Sequence, residues 1–441
     1  MINLFEHYDT ASADFLRSQY LAKMAVPSVA MYDNGFLPKE VDSPIQYFCN
    51  FSNNHQPLYF DKLSLPYYWR VMSTAAKGEV FDLDKKRAEI FYSANDNSRI
   101  VKEVHWLDNV GNISWIDHYN RHGQRFGKTY YEQEKPVLKK FYNRQGKVVI
   151  YWNLQAGDLF LSFDHDQRHF SSLEDFVIYY LELRHYKLDH IFYNTLNKSL
   201  AVSLRLKQPG EDVLFWHERT GKELPGNMQF LLDNETRTKH IVFQNYLDWQ
   251  RRDEFLPADH GTVDFQYLGM IYPHPRSNNM KQNALILTNS DQIEQIDQLV
   301  KLLPNINFKI AAITEMSGKL MSLQDFKNVE LFPTVSKSRL RELMADCDVY
   351  LDINYGNEIL DAVRGAFEKN MLVLGFKDTL HNKQFIAPEN VFEKGAVKEM
   401  AQRILQALVQ PALMKKLIDR QRMVAGDVRV ADYQRVLGEF K

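Results

Sequence analysis

The sequence predicts an α/β chain: two Rossmann-like units facing a crevice, with an antiparallel β-meander inserted in the first. Three patterns lead there. In the C-terminal third, apolar runs alternate with segments of helical period. The middle carries evenly spaced turn signals between aromatic, β-branched stretches, and weaker α/β alternation flanks it on both sides.

In the C-terminal third, strands are expected at 284–288, 308–313, 329–332, 349–353 and 371–375, with helices at 291–303, 337–347 and 358–369. Leu340, Leu343, Met344 and Cys347 fall on one face at helical spacing. Ser336 suits an N-cap, and Asn289 followed by Gln292 resembles a capping box. A closing helix is expected at 430–440.

Between Arg99 and Phe170, turn signals recur at 108–111, 120–123, 143–146 and 164–166. Short aromatic strands between them predict a meander. Tyr-Asn-Arg-x-Gly occurs twice, at Tyr119–Gly123 and Tyr142–Gly146, as expected of hairpin loops closed by a left-handed glycine. A meander with few helices beside it leaves one aromatic face uncovered, and such a face calls for a partner. Trp115, Tyr130 and Trp152 are the candidate partner-binding residues.

Around the meander, helices are expected at 12–25 and 173–186, and strands at 28–32, 191–193, 212–216, 228–232 and 240–243. The expected domains are 1–55 with 171–275, the insert 56–170, and the C-terminal unit 276–441, the proline- and glycine-bearing stretch 255–283 serving as linker.

The 441 residues carry a formal net charge of −2, with 45% hydrophobic and 25% charged side chains, an ordinary globular balance. Nothing in it favours nucleic acid. Cys49 and Cys347 stand without metal or redox spacing and read as buried thiols. Residues 1–14 lack a basic start followed by an apolar run, and no apolar stretch approaches the roughly 18 residues of a membrane span. The cytosol is the expected compartment.

Ligands of facing Rossmann-like units bind at the carboxyl ends of the strands. The polar residues expected there are Asn34, Asn227, Asn289, Asp291, Asn354 and Glu358, candidate contacts for an acceptor or its glycan because short amides and carboxylates suit hydroxyls. Plainer readings stand beside these: Asn289 as a helix cap, Glu358 as a carboxylate favourable at a helix start. A diphosphate would want Arg or Lys after the first C-terminal strand, where Asn289-Ser290-Asp291 offers one acid and no base. No metal ligation is expected of the 14 histidines; His381 follows the last clear strand and either lines the crevice or is solvated. GxSxG, P-loop and GxGxxG signatures are absent, so no metal and no cofactor are expected.

The layout resembles a GT-B glycosyltransferase, and four stretches are similar to the GtfB family: Asn34 to Pro38, Leu224 to Gln229, Thr288 to Glu294 and Cys347 to Glu358. The resemblance covers essentially the whole chain. It implies a GT-B fold with the meander as an add-on domain, and a complex with the catalytic N-acetylglucosaminyltransferase GtfA, as a heterotetramer of two copies each. It further implies a non-catalytic, stabilising role: binding the serine-rich repeat adhesin polypeptide, bare or GlcNAc-modified, for protein O-glycosylation before accessory Sec export. The implied place is the cytoplasm, including the periphery of the inner membrane face.

The residues themselves agree with a loss of donor chemistry. Retaining GT-B enzymes keep two glutamates at fixed spacing ahead of a short strand, the second binding the nucleotide ribose. Aligned on Leu372-Val373, those places hold Asn357 and Gly365; shifting by one to use Glu358 puts Ala366 at the second. Two other readings remain open: a catalytically active retaining UDP-sugar glycosyltransferase, and a carbohydrate-binding module without an enzyme partner.

Overall fold

The computed structural model describes residues 1–51, 56–74, 77–93, 99–258 and 260–440. The expected boundary after residue 55 falls within 52–55, outside the described residues. The chain divides into two compact units, the first made of Met1–Gln19, Met24–Val242 and Phe255–Gln266, the second of Tyr20–Lys23, Phe243–Glu254 and Tyr267 onward.

A seven-stranded sheet runs in the order Asp264–Tyr267, Thr238–Phe243, Asp212–Trp216, Ile191–Tyr193, Ile2–Phe5, Ser28–Ala30, Val41–Asp42. Its central pairs are parallel, and the central strands are buried throughout, as a sheet covered on both faces requires. The expected strand at 228–232 is instead a helix, Gly226–Asp233. Met228, Leu231 and Leu232 are buried while Phe230 is 45% exposed, so the run Met-Gln-Phe-Leu-Leu buries a helical face. A short apolar run does not choose between the two periods by itself.

The second unit holds a six-stranded sheet, ordered Val329–Phe332, Asn307–Ala311, Asn283–Leu287, Val349–Asp352, Leu372–Phe376, Val391–Phe392, all of its pairs parallel. Ser336 caps the helix Lys337–Asp346 by accepting from the Arg339 amide, as expected. The expected helix 291–303 is shorter, Ile296–Leu302, and Asn289 does not cap it. Ile293 forms a bridge with Asn354 instead: Glu294 N donates to Ile353 O at 2.8 Å and Tyr355 N to Gln292 O at 3.0 Å. The helix expected at 358–369 likewise begins only at Ala362, because Leu360 and Asp361 take left-handed conformations, φ 52° and 50°.

The meander is a ten-stranded antiparallel sheet in strict chain order, from Trp69–Ser73 to Asp166–Phe170. Three strands precede Arg99: Trp69–Ser73, Lys77–Asp82 and Lys85–Tyr92. Both Tyr-Asn-Arg-x-Gly loops close as hairpins. Asn120 Oδ1 accepts from the His122 and Gln124 amides, Asn143 Oδ1 from those of Gln145 and Lys147, and Gly123 and Gly146 take φ +71° and +74°.

The arginines of these loops reach back to the parallel-sheet part of the first unit. Arg121 Nη2 donates to Phe36 O at 2.6 Å and also to Leu37 O, and its amide to Gly35 O at 2.9 Å. Arg144 clasps Asn50, at 3.1 Å to its carbonyl and 2.7 Å to its side chain. Gly35, φ +83°, lies under the first hairpin: a Cβ there would stand 2.7 Å from Asn120 Cα and 2.8 Å from Tyr119 O. Gly146, φ +74°, has nothing within 4 Å of such a Cβ. Gly35→Ala therefore incurs left-handed strain of about 1–2 kcal/mol plus crowding of about 1–3 kcal/mol, whereas Gly146→Ala incurs the strain alone. Urea denaturation should show Gly35→Ala with clearly the lower midpoint; equal midpoints would contradict the close docking.

Candidate functional site

In the second unit, the loops after strands Asn283–Leu287 and Val349–Asp352 are locked to each other. Asn354, 2% exposed, accepts from Thr288 Oγ1 at 2.7 Å and from the Gly356 amide at 3.1 Å, and its Nδ2 donates to Gly356 O at 3.3 Å. The Asn289 carboxamide fills the space over Gly356, where a Cβ would collide with Asn289 Oδ1. Glu294 accepts from Tyr355 Oη at 2.5 Å and pairs with Lys394 at 3.0 Å. Side chains of the chain itself thus occupy the ends of these two strands.

His381 fastens the second loop from the other side. Its Nδ1 lies 2.5 Å from Asp352 Oδ1, its Nε2 2.5 Å from Gly356 O, and its amide donates to Asp352 Oδ2 at 2.8 Å. Burial works against a charged ring. The Gly356 carbonyl and the Asp352 carboxylate outweigh it and hold the imidazole pKa above its usual value, since both ring nitrogens face acceptors. Burial also raises Asp352, against the hydrogen bonds from His381. Glu358 accepts the Val363 amide at 3.0 Å and so caps the helix Ala362–Glu368. Burial is the first cause lifting its pKa, with Asp352 and Asp361 adding to it. Of the four sequence candidates in this unit, Asn354 and Glu358 are engaged in holding the loops, Asn289 packs on Gly356, and Asp291 is exposed.

The first unit holds the other two. Asn227 donates to Leu196 O at 2.7 Å and ties the start of its helix to the preceding loop. Asn34 is exposed and lines a cleft between the meander and the carboxyl ends of strands Ile2–Phe5 and Ser28–Ala30. The cleft continues into a cavity of about 890 Å³, the two parts sharing Tyr32, Glu103, His118, Lys139 and Trp152 as walls. Glu103 anchors the floor, with His105 Nε2 at 3.0 Å and His118 Nδ1 at 3.3 Å, while His118 Nε2 meets Thr129 Oγ1 at 2.8 Å. Hydrogen bonds from His105 and then His118 hold the Glu103 carboxyl well below the usual carboxylate range, against burial. His7, Tyr32 and Trp152 form a stack, with ring centroids 4.4 and 5.8 Å apart.

The meander's two faces differ. His105, Ile116, Thr129, Lys139, Trp152 and Leu159 are successive cross-strand partners, and this row faces the cleft. Asp117, Lys128, Lys140, Tyr151, Phe160 and His169 form the neighbouring row, one residue along and therefore on the opposite face. Trp115 and Tyr130 pair on that outer face, with Lys128 4.5 Å from the Trp115 ring and 5.4 Å from that of Tyr130. Trp152, expected to share their surface, is 8% exposed and points into the cleft instead. Glu103, His118 and Lys139, missed in the sequence, converge only through cross-strand register, which no local spacing reveals.

The His381 contacts carry a pH signature. Its folded pKa is raised above the 6.5 of a free histidine, so the stabilisation is complete below that value and is lost as pH rises through the folded one. Unfolding of wild type against His381→Gln, followed from about pH 6 to about pH 8.5, should show the advantage of wild type shrinking with pH. A constant difference would mean that the ring is not charged.

Family models match along the chain: the GtfB N-terminal domain at residues 2–48, the GtfB middle domain at 69–171, the GtfB third domain at 174–255 and the GftB/GlyA-F C-terminal domain at 284–421. A UDP-N-acetylglucosamine–peptide N-acetylglucosaminyltransferase stabilizing protein GtfB from Limosilactobacillus reuteri subsp. suis is 58% identical, over 100% of both chains. The protein of the same name from Streptococcus gordonii is 38% identical, over 99% of this chain and 98% of its own length. A chain in the crystal structure of a GtfA/B complex bound to UDP and GlcNAc superposes with a TM-score of 0.94 at 38% identity, covering 100% of both chains. That likeness shows the GT-B-like class, two parallel α/β sheets with an antiparallel one. With matching domains in order along its sequence and 58% identity over the whole length of a stabilising protein, the chain belongs to the GtfB family.

Proposed function

We propose that this chain is the non-catalytic subunit of a protein O-glycosyltransferase. It stabilises a catalytic N-acetylglucosaminyltransferase of the GtfA kind and binds the serine-rich repeat adhesin polypeptide, bare and GlcNAc-modified, before accessory Sec export. It acts in the cytoplasm, or peripherally at the inner face of the membrane, as a heterotetramer of two copies of each subunit and without a cofactor of its own. The names of its relatives support the stabilising role, and the GtfA/B complex of the solved relative supports the pairing.

The observation that carries the non-catalytic reading is the interlock of Thr288, Asn289, Asn354 and Gly356. A nucleotide diphosphate needs free amides and cations at such strand ends. Here the Gly356 amide is satisfied within its own loop, and Lys394 is paired with Glu294. Without a ribose carboxylate, a UDP-sugar also forgoes a charged hydrogen bond of about 1.5–3 kcal/mol. Asn34, Asn289 and Asp291 are the acceptor candidates exposed at strand ends, although Asn34 Oδ1 accepts the Phe36 amide at 2.9 Å and Asn289 Oδ1 meets Asn354; Asn227, Asn354 and Glu358 hold backbone.

The outer aromatic and lysine face is the proposed dock for the catalytic subunit. Interface cores favour Tyr and Trp, and Lys128 and Lys140 hold cation–π contacts to Tyr130 that keep this surface ordered. Truncating a central aromatic residue costs about 2 kcal/mol or more, roughly thirtyfold in affinity. Trp115→Ala and Tyr130→Ala should each weaken binding to the catalytic subunit by that order, measured by biolayer interferometry on folded variants; undiminished binding in both would place the dock elsewhere. Calorimetry of the isolated chain with UDP-GlcNAc should give no measurable binding at micromolar concentrations. A low-micromolar dissociation constant would overturn the non-catalytic reading and favour an active retaining transferase.

A further inference from the structure

The first-unit cleft contains two polar groups whose needs the chain does not meet. Among the described residues Lys139 makes no hydrogen bond and no ion pair; its ammonium lies 5.1 Å from the Phe141 ring. Burial lowers its pKa, and Glu103 and Asp33 act against that without reaching it. Asp33 presents the converse. Its Oδ1 accepts the Gly35 amide at 2.7 Å, while Oδ2 is buried with no partner in hydrogen-bond geometry, the Ser43 hydroxyl being the neighbouring donor. Both residues line the same cavity. A half-buried ammonium and a buried carboxylate oxygen that face one cavity without a direct partner in the chain are complementary to a ligand offering an acceptor and a donor.

The other ionised groups of the wall are already matched. Glu103 is held by His105 and His118, Glu174 pairs with Lys198 at 2.8 Å, and Arg205 with Asp175 at 3.0 Å. The unmet pair is one cation and one carboxylate, so neither an anion nor a cation satisfies both. A neutral amide does, its carbonyl accepting from Lys139 and its N–H or a neighbouring hydroxyl donating to Asp33. The site lies outside the carboxyl ends of strands Ile2–Phe5 and Ser28–Ala30, where parallel sheets bind ligands. At about 890 Å³, the adjoining cavity is in the size range of small-molecule sites.

We propose that this cleft, with Lys139 and Asp33 as its recognition pair and Tyr32 and Trp152 as its wall, binds an amide- and hydroxyl-bearing group of the acceptor. That group is the acetamido sugar of a modified serine or threonine, or the peptide backbone beside it. The inference rests on the acceptor-binding reading above and moves the principal contact to residues inside one unit.

The test uses the full chain and fluorescence anisotropy of a labelled serine- and threonine-rich repeat peptide, bare and GlcNAc-modified. Lys139→Met and Asp33→Asn should each weaken binding about tenfold or more, and Lys135→Met, on an exposed edge of the same strand, should leave it unchanged. Loss confined to the modified peptide identifies the sugar as the ligand, and loss with both peptides identifies the backbone. In wild type, saturating modified peptide should protect Lys139 from reductive methylation, read by mass spectrometry; this arm is independent of how any variant folds. Wild type that binds neither peptide overturns the acceptor-binding reading, and this site with it. Wild type that binds, with undiminished affinity in both variants and an unprotected Lys139, overturns the site alone. Displacement of the peptide by millimolar inorganic phosphate would show an anion site and overturn the proposed ligand.

Discussion

Two arginines at equivalent places in a repeated loop fix the meander to the parallel sheet of the first unit. Arg121 and Arg144 reach the carbonyls of Phe36 and Asn50, segments that sequence alone would assign to another domain. Each contact is a charge-assisted hydrogen bond to backbone, and Gly35 lets the first hairpin approach where any side chain would keep it away. Without this docking the meander is a long antiparallel ribbon, and neither the cleft nor the distinction between its faces would exist.

The alternation of a strand then divides the labour. Lys139 and Lys140 are neighbours in the chain, yet one faces the cleft and the other lies among the aromatic rings of the outer surface. The inner row combines a histidine-braced carboxylate, an unmatched ammonium and a tryptophan stacked on Tyr32. The outer row carries lysines over aromatic rings and includes Tyr151 and Phe160, 39% and 46% exposed, a composition suited to another protein surface. A single sheet can therefore hold two ligands without competition between them.

Much of the fold was legible in the sequence because its signals were local. Strand and helix alternate cleanly after residue 283, and the two Tyr-Asn-Arg-x-Gly loops carry their own turn chemistry. What failed was non-local. Asn289 and Gln292 have the spacing of a capping box, but Ile293 bridges to Asn354 instead, and that tertiary bridge wins over a local cap. Residue type alone groups Trp152 with Trp115 and Tyr130. Its face depends on counting through shifts in register at Pro136/Leu138 and Phe141/Tyr142, which move side chains from one face to the other. Of the cleft's polar groups, sequence alone singles out only Asn34, since Asp33, Glu103 and Lys139 come from three separate segments. His381 was noticed, but its role required seeing Asp352 and Gly356 on either side of the ring.

The second unit has a parallel sheet whose strand-end loops are fastened to each other, and the first has a meander with two chemically different faces. The central claim is that binding is divided between the two sides of one meander. Acetylation footprinting of the reconstituted complex tests it most directly, because Lys128 and Lys140 report the outer face and Lys139 the inner one. The account predicts that the catalytic subunit alone protects Lys128 and Lys140 and leaves Lys139 as reactive as in the free chain. Protection of Lys139 by the catalytic subunit, with Lys128 and Lys140 still reactive, would contradict it.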